Sequence, residues 1–439
     1  MKQAWIILAA AWLAACQAAA PADTPAPATE ASEAVSEAVS PLAVGMKERV
    51  DAMLSSAVAR GDIAGGSALV WIDGQEVYFG AFGMADREAG TQMDRATLAR
   101  LYSMTKPVTG VTLMTLYDKS LFSLDDPLSK YFPEFANTNV YAGLDENGEP
   151  VFDPPARAPL VIDLMRHTAG LSNVGDDETV IGDMFRSRRT MRLDQSLSEM
   201  AQDISEIPLY YQPGERWLYS PSVDMQAALV EKLSGKPYYE YLKETVLDPL
   251  GMSETDYYVP ESERGRMMQV YVIHEDGTME PDPSNDQGMQ LPFVHARMTP
   301  GGYGLVSTVD DYMKFARMLV NKGELDGVRI LKPETVELMG TNHMPDTVKD
   351  RYWLPNKGQV GFGLDFAVRH SSPVSDEENY GVPGEFFWDG KASTLFWVDP
   401  ENKLTAVLFI QVLPFDTTKV QPKFRDAVYG VRNSGLPVD

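Results

Sequence analysis

Apolar positions along this 439-residue chain recur with two different periods. In residues 44–60 they fall at Met46, Val50, Met53, Leu54 and Val58, which is the spacing of one helix face. Residues 66–72 and 76–82 are short strand-like runs joined through Asp73-Gly74, a dipeptide that favours a tight hairpin. A helical pattern starts near Ser103 and runs to about Lys119. Short apolar runs on either side of Asp145-Glu146-Asn147-Gly148 predict a surface hairpin over 137–159. Residues 162–171 predict a helix that ends at a glycine, and 223–232 another helix, led in by Pro213-Gly214. Between them, 176–207 is polar and holds Arg186-Ser187-Arg188-Arg189, read as a solvated face. Farther on, 298–305 is a glycine-rich turn, and Ser307 or Thr308 is placed to cap a helix reaching Leu319. Residues 363–368, 394–398 and 404–412 are strand-like, and 417–431 predicts a closing helix. Strands at both ends with helices between them predict an α/β (α+β) domain. Its sheet is built from the two chain ends, with a mostly helical insertion.

The first residues follow a different pattern. Lys2 gives residues 1–15 a positive start, and the apolar run behind it is too short to span a bilayer, so the segment reads as an export signal. Leu13-Ala14-Ala15-Cys16 resembles the bacterial lipoprotein signal, in which cleavage precedes a cysteine that becomes lipidated. That resemblance implies a cell-envelope protein anchored to a membrane through Cys16 on the periplasmic side. With Gln17 after the cysteine, the resemblance to Gram-negative lipoproteins implies the outer membrane. The alternative is an ordinary secretory signal beside a coincidental cysteine. Residues 16–41 are rich in Ala, Pro, Glu, Ser and Thr and repeat Ser-Glu-Ala-Val, which predicts a disordered tether. The folded domain is then 42–439.

Charge and rare residues remove several function classes. A net charge of −25 argues against a nucleic-acid partner. Cys16 is the only cysteine, so neither an intrachain disulfide nor a cysteine-based zinc site can form. The five histidines are scattered, and the signatures of zincins, α/β-hydrolases and P-loop NTPases do not occur. Nothing in the chain implies a metal or an organic cofactor.

What remains is a serine and a lysine three apart, Ser103 and Lys106, at the start of the apolar helical pattern. On a helix these positions share a face, so hydroxyl and amine can meet. A serine becomes a nucleophile when a neighbouring base takes its proton. Ser103-x-x-Lys106, followed in order by Tyr219-Ser220 and Trp388-Asp389-Gly390, resembles the serine β-lactamase-like family. That family includes class C β-lactamases, D-amino-acid peptidases and carboxylesterases. The likeness covers roughly residues 44–432. His167-Thr168-Ala169-Gly170-Leu171 and Phe396-Trp397-Val398-Asp399-Pro400 are similar to further family stretches.

The resemblance implies an antiparallel sheet flanked by helices beside a mostly helical region, with the site between them. It implies Ser103 as nucleophile, and Lys106 and Tyr219 as the groups that take and return its proton. Which of the two is the base stays open. The backbone N–H groups of Ser103 and Lys391 are the implied oxyanion donors. His167 reads as a structural histidine, and Asp224 as a support for the Tyr219 loop. Trp388 reads either as a core aromatic or, with Asp389, Gly390 and Pro221, as part of the substrate surface.

Two departures bear on substrate. β-Lactamases have asparagine where Pro221 stands, and a Lys-Thr-Gly box where Trp388-Asp389-Gly390 stands. The cation that would meet a β-lactam carboxylate is therefore absent from that box, and Lys391 should point differently from Trp388 because strand side chains alternate. The expectation is a serine hydrolase that cleaves small esters through an acyl-enzyme on Ser103. The alternatives are a β-lactamase or D-amino-acid peptidase on the same scaffold, and a catalytically silent envelope-binding protein.

Overall fold

The Asp73-Gly74 hairpin forms as its residues require. Both sit in the left-handed region, with φ of +49° and +78°, the pairing that matches the twist of the strands they join. The computed structural model describes residues 40–172, 179–284, 286–375 and 378–430. The expected signal, the tether up to residue 39, Cys16, residues 176–178 and Val431 lie outside the described residues.

The hairpin strands are β1 (Gly65–Ile72) and β2 (Gln75–Asp86), followed by short β3 (Thr91–Gln92). From the far end of the chain come β4 (Val360–Phe362), β5 (Ala367–Arg369), β6 (Phe386–Asp389), β7 (Leu395–Asp399) and β8 (Leu404–Phe409). Together they form one antiparallel sheet in the order β4-β5-β6-β7-β8-β1-β2-β3. The two chain ends meet where β1 pairs with β8, Ser67 opposite Phe409.

β6, β7 and β8 are buried at every position, which requires cover on both faces. Consecutive residues of β7 show how it is supplied. Phe396 packs edge-on against Tyr312 of α4 (Val309–Val320), with centroids 4.9 Å apart. Trp397, on the opposite face, packs against Phe424 of α5 (Val420–Tyr429) at 5.4 Å. α1 (Met46–Arg60) lies beside α5, tied by a 2.8 Å bond from Arg49 Nε to the Ala427 carbonyl. Thr308 caps α4, accepting from the Asp311 N–H.

The middle of the chain supplies α2 (Thr105–Asp118) and α3 (Ser222–Ser234), which pack together. α2 is buried from Thr105 to Leu116, so it is a core helix without a polar face. The hairpin expected over 137–159 is present as Val140–Leu144 paired with Pro150–Asp153. No helix among the described residues is long and apolar enough to cross a membrane.

Several expected elements differ. Residues 363–368 mostly form a turn, closed by Gly363 N–H on the Phe366 carbonyl, with Asp365 at φ +65°. Its apolar side chains imitate a strand because they are buried. The run 404–412 breaks after Phe409, and Val412–Leu413 pairs instead in parallel with Tyr271–Ile273. The helix expected over 162–171 is only Val161–Met165, and His167 rather than a glycine takes the left-handed turn, at φ +55°. The polar stretch contains two helices, Val180–Arg188 and Leu197–Ser205. The arginine cluster is solvated, as expected: the Arg188–Glu206 pair is exposed.

Candidate active site

Ser103 lies in a 3-10 turn, Tyr102–Met104, that leads directly into α2, so it precedes the α-helix proper. The preceding residue, Tyr102, has φ +47°, an uncommon conformation for a bulky side chain. The Leu101 N–H donates to the Leu305 carbonyl at 2.9 Å and Met104 N–H to the Leu101 carbonyl at 3.0 Å, which anchors the turn on both sides. Ser103 and Lys106 meet even so. Lys106 Nζ is 3.3 Å from Ser103 Oγ and donates a 2.7 Å bond to the Gly302 carbonyl. The same nitrogen lies 4.5 Å from the centre of the Tyr219 ring, an attractive placement for a cation.

Tyr219 arrives on the segment before α3. His167 pins that segment: its carbonyl accepts the Leu218 N–H at 3.0 Å and its Nδ1 the Ser220 N–H at 3.4 Å. Burial, with a smaller contribution from Lys106, holds His167 well below the usual imidazole range, so it is neutral and structural. Support of the Tyr219 segment was expected from Asp224. Asp224, on the first turn of α3, instead faces the Gly302 loop, accepting the Gly302 N–H at 2.9 Å.

The third sequence box closes the other side. Trp388 is 1% exposed and packs with Tyr219, Trp353 and Phe362, at centroid distances of 5.6, 6.0 and 5.3 Å. Its Nε1–H donates to the Tyr219 hydroxyl at 3.3 Å. Trp388 is therefore both a core aromatic and a direct partner of Tyr219. Gly390 sits against the nucleophile's turn, where a Cβ would come within 2.5 Å of the Leu101 carbonyl oxygen. The Lys391 side chain is directed to Asp286, at 2.7 Å.

These residues line a cleft of about 640 Å³, with Ser103, Tyr219, Trp353 and Trp388 at its aromatic part and Lys357, Asp389 and Asp416 among its polar lining. Pro221 does not line it. That residue is buried at the N-cap of α3, where its ring starts the helix and touches no open space.

The cleft also holds a cation that the reading of the third box left out. Lys357, from the turn Leu354–Lys357, forms a buried ion pair with Asp389 and lies about 5 Å from the rings of Trp353, Trp388 and Phe415. Nothing in the local sequence of Lys357 signals this, because the contact spans 32 residues. Gly301-Gly302 carried a signal, adjacent glycines where backbone must approach closely. Beneath α2, burial pushes Asp365 well above the carboxylate range, opposed by Gln226 and Lys106. It sits where a Cβ on Gly110 would come within 2.5 Å of Oδ2. Among the described residues no group of three or more His, Cys, Asp or Glu could hold a metal ion.

A two-ended antiparallel sheet, a buried helix led by serine and lysine, and a tyrosine brought to the same point define a class of protein that comparison identifies. The chain belongs to the β-lactamase family, whose model matches residues 50–428. Protein Rv1367c of Mycobacterium tuberculosis is 33% identical over 361 residues, 81% of this chain and 87% of that protein. Esterase EstB of Burkholderia gladioli is 29% identical over 398 residues, covering 83% and 90%. Among solved structures, EstCE1, described as a hydrolase with promiscuous acyltransferase activity, superposes with a TM-score of 0.73 at 23% identity, covering 88% of this chain and 99% of its own. The last likeness establishes the fold.

Proposed function

We propose that this protein is a serine hydrolase that cleaves small carboxylic esters through an acyl-enzyme on Ser103. The observation behind this is the meeting of Ser103 Oγ and Lys106 Nζ at 3.3 Å on the wall of an open cleft, with Tyr219 over the same nitrogen. In acylation, Ser103 Oγ bonds to the ester carbonyl carbon and its proton passes to Lys106 or Tyr219. The ester C–O bond then breaks and the alcohol leaves with that proton. Water repeats the sequence to release the acid. The N–H groups of Ser103 and Lys391 are proposed to receive the oxyanion.

The aromatic wall of Tyr219, Trp353 and Trp388 supports an apolar acyl or alkyl group, and a relative named as an esterase supports the reaction class. Purified protein should hydrolyse short-chain nitrophenyl esters, and Ser103→Ala should abolish this. Unchanged turnover in that variant refutes the reading. Rapid nitrocefin hydrolysis, or release of D-alanine from a stem peptide, would instead assign a β-lactamase or peptidase. We further propose anchoring to the cell envelope through a lipidated Cys16; equal membrane partitioning of wild type and Cys16→Ser would reject it.

A further inference from the structure

One buried carboxylate is not used by that reaction scheme. Asp224 stands on the first turn of α3 and is 4% exposed. Its Oδ1 accepts the Gly302 N–H at 2.9 Å, and the carbonyl of the same glycine accepts from Lys106 Nζ at 2.7 Å. Both bonds are buried. Gly302 thus stands between a carboxylate and an amine: its N–H points toward one and its C=O toward the other, on the two adjacent peptide groups that meet at its Cα. The low dielectric of the buried site strengthens both bonds.

The fit is close. A Cβ on Gly302 would stand 2.8 Å from Asp224 Oδ2 and 3.3 Å from Lys106 Nζ, so only glycine passes between them. The relay joins three separate parts of the chain. α2 supplies Lys106, the turn after Met298 supplies Gly302, and α3 supplies Asp224.

We propose that Asp224 is a positioning residue: through the Gly302 backbone it fixes Lys106 Nζ against the Ser103 hydroxyl and supplies the negative charge that opposes it. This rests on the assignment of Lys106 to proton transfer with Ser103. The other titratable groups facing Lys106 are His167, Asp365 and Tyr219. Burial holds His167 neutral and pushes Asp365 well above the carboxylate range. Around Asp224 stand Tyr238, Tyr257 and Tyr303, each pushed upward chiefly by burial. Asp224 itself is held above its ordinary value, chiefly by burial, with Lys106 and the backbone N–H groups of Gly302, Asp224 and Gly301 acting in the opposite direction.

The test measures kcat and KM for a nitrophenyl ester across pH, on the full chain, for Asp224→Asn and Gly302→Ala, with a melting curve for each. Asparagine keeps an oxygen for the Gly302 N–H but removes the charge. It should lower kcat about tenfold or more, leave KM nearly unchanged, and move the limb of the pH profile to lower pH. Removing a nearby negative charge disfavours the ammonium form. Gly302→Ala keeps the charge but displaces the backbone, so kcat should fall with the limb in place. A folded Asp224→Asn whose limb does not move overturns the proposal, whatever its kcat. If that variant does not fold, Gly302→Ala with kcat within twofold of wild type overturns it. Ser103→Ala, run in parallel, separates the two readings: residual turnover there sinks the serine mechanism itself. If no ester is turned over, the pH dependence of fluorophosphonate labelling at Ser103 replaces kcat.

Discussion

Gly390→Ala is the smallest change that should disturb the nucleophile from the opposite side of the cleft. A Cβ at that position would lie 2.2 Å from Thr394 Oγ1 and 2.5 Å from the Leu101 carbonyl oxygen. The threonine hydroxyl can turn away. The Leu101 carbonyl cannot, because it accepts the Met104 N–H and its own residue's N–H is bonded to Leu305. An approach of 2.5 Å falls roughly 0.9 Å short of an ordinary 3.4 Å contact. That displacement must be shared between the end of β6 and the turn two residues before Ser103. Overpacking of this kind costs about 1–3 kcal/mol of stability, and a shift approaching 1 Å at a reacting group can cost about 10²-fold in rate. Stopped-assay kinetics on a nitrophenyl ester should therefore show kcat lower by about 10²-fold with little change in KM, and a melting temperature lower by a few degrees. Gly265→Ala is the control, since a Cβ there meets nothing within 4 Å. A Gly390→Ala protein with kcat within twofold of wild type would refute the coupling of the β6 edge to the Ser103 turn.

Two further predictions concern the charged part of the cleft. Asp416 is pushed from its ordinary 3.8 up to about 6, chiefly by burial and also by Asp389. A carboxyl raised on folding favours the folded state below its unfolded pKa, and that contribution is lost as pH rises toward 6. Asp416→Asn should thus be more stable than wild type at pH 7.5, by at most about 3 kcal/mol, and equal to it at pH 4; urea melts at the two pH values check this, and an equal difference at both would contradict it. For the Lys357–Asp389 pair, with side chains 6% and 9% exposed, Lys357→Met alone should cost about 3–5 kcal/mol because it strands a buried carboxylate. Adding Asp389→Asn should recover most of that, and a double variant no more stable than the single one would contradict the account.

The sheet was legible in the sequence where local chemistry sets structure. The Asp73-Gly74 turn, the capping Thr308 and the apolar runs of β7 and β8 each announce themselves within a few residues. Residues 363–368 misled because burial in a turn and burial in a strand leave the same apolar composition. The 180–188 and 197–205 helices were hidden by their polar surroundings. At the site, Ser103, Lys106, Tyr219 and Trp388 were readable as motifs. Lys357 and the Asp224–Gly302–Lys106 link were not, since each depends on segments that only the fold brings together. Pro221 misled because it occupies a motif position while its ring is spent on starting a helix.

The pairing of β1 with β8 has a consequence for the order in which the molecule is made. Ser67 and Phe409 are partners across almost the whole domain, and contacts of such separation form late. Ser103 is synthesised well before the Trp388–Lys391 segment that faces it. A chain interrupted before Trp388 has the serine, the lysine and the tyrosine but not the end of β6 that closes the other side of the cleft. The cleft is completed by strands synthesised long after the serine, so the serine gains its full setting only once β6 has been added.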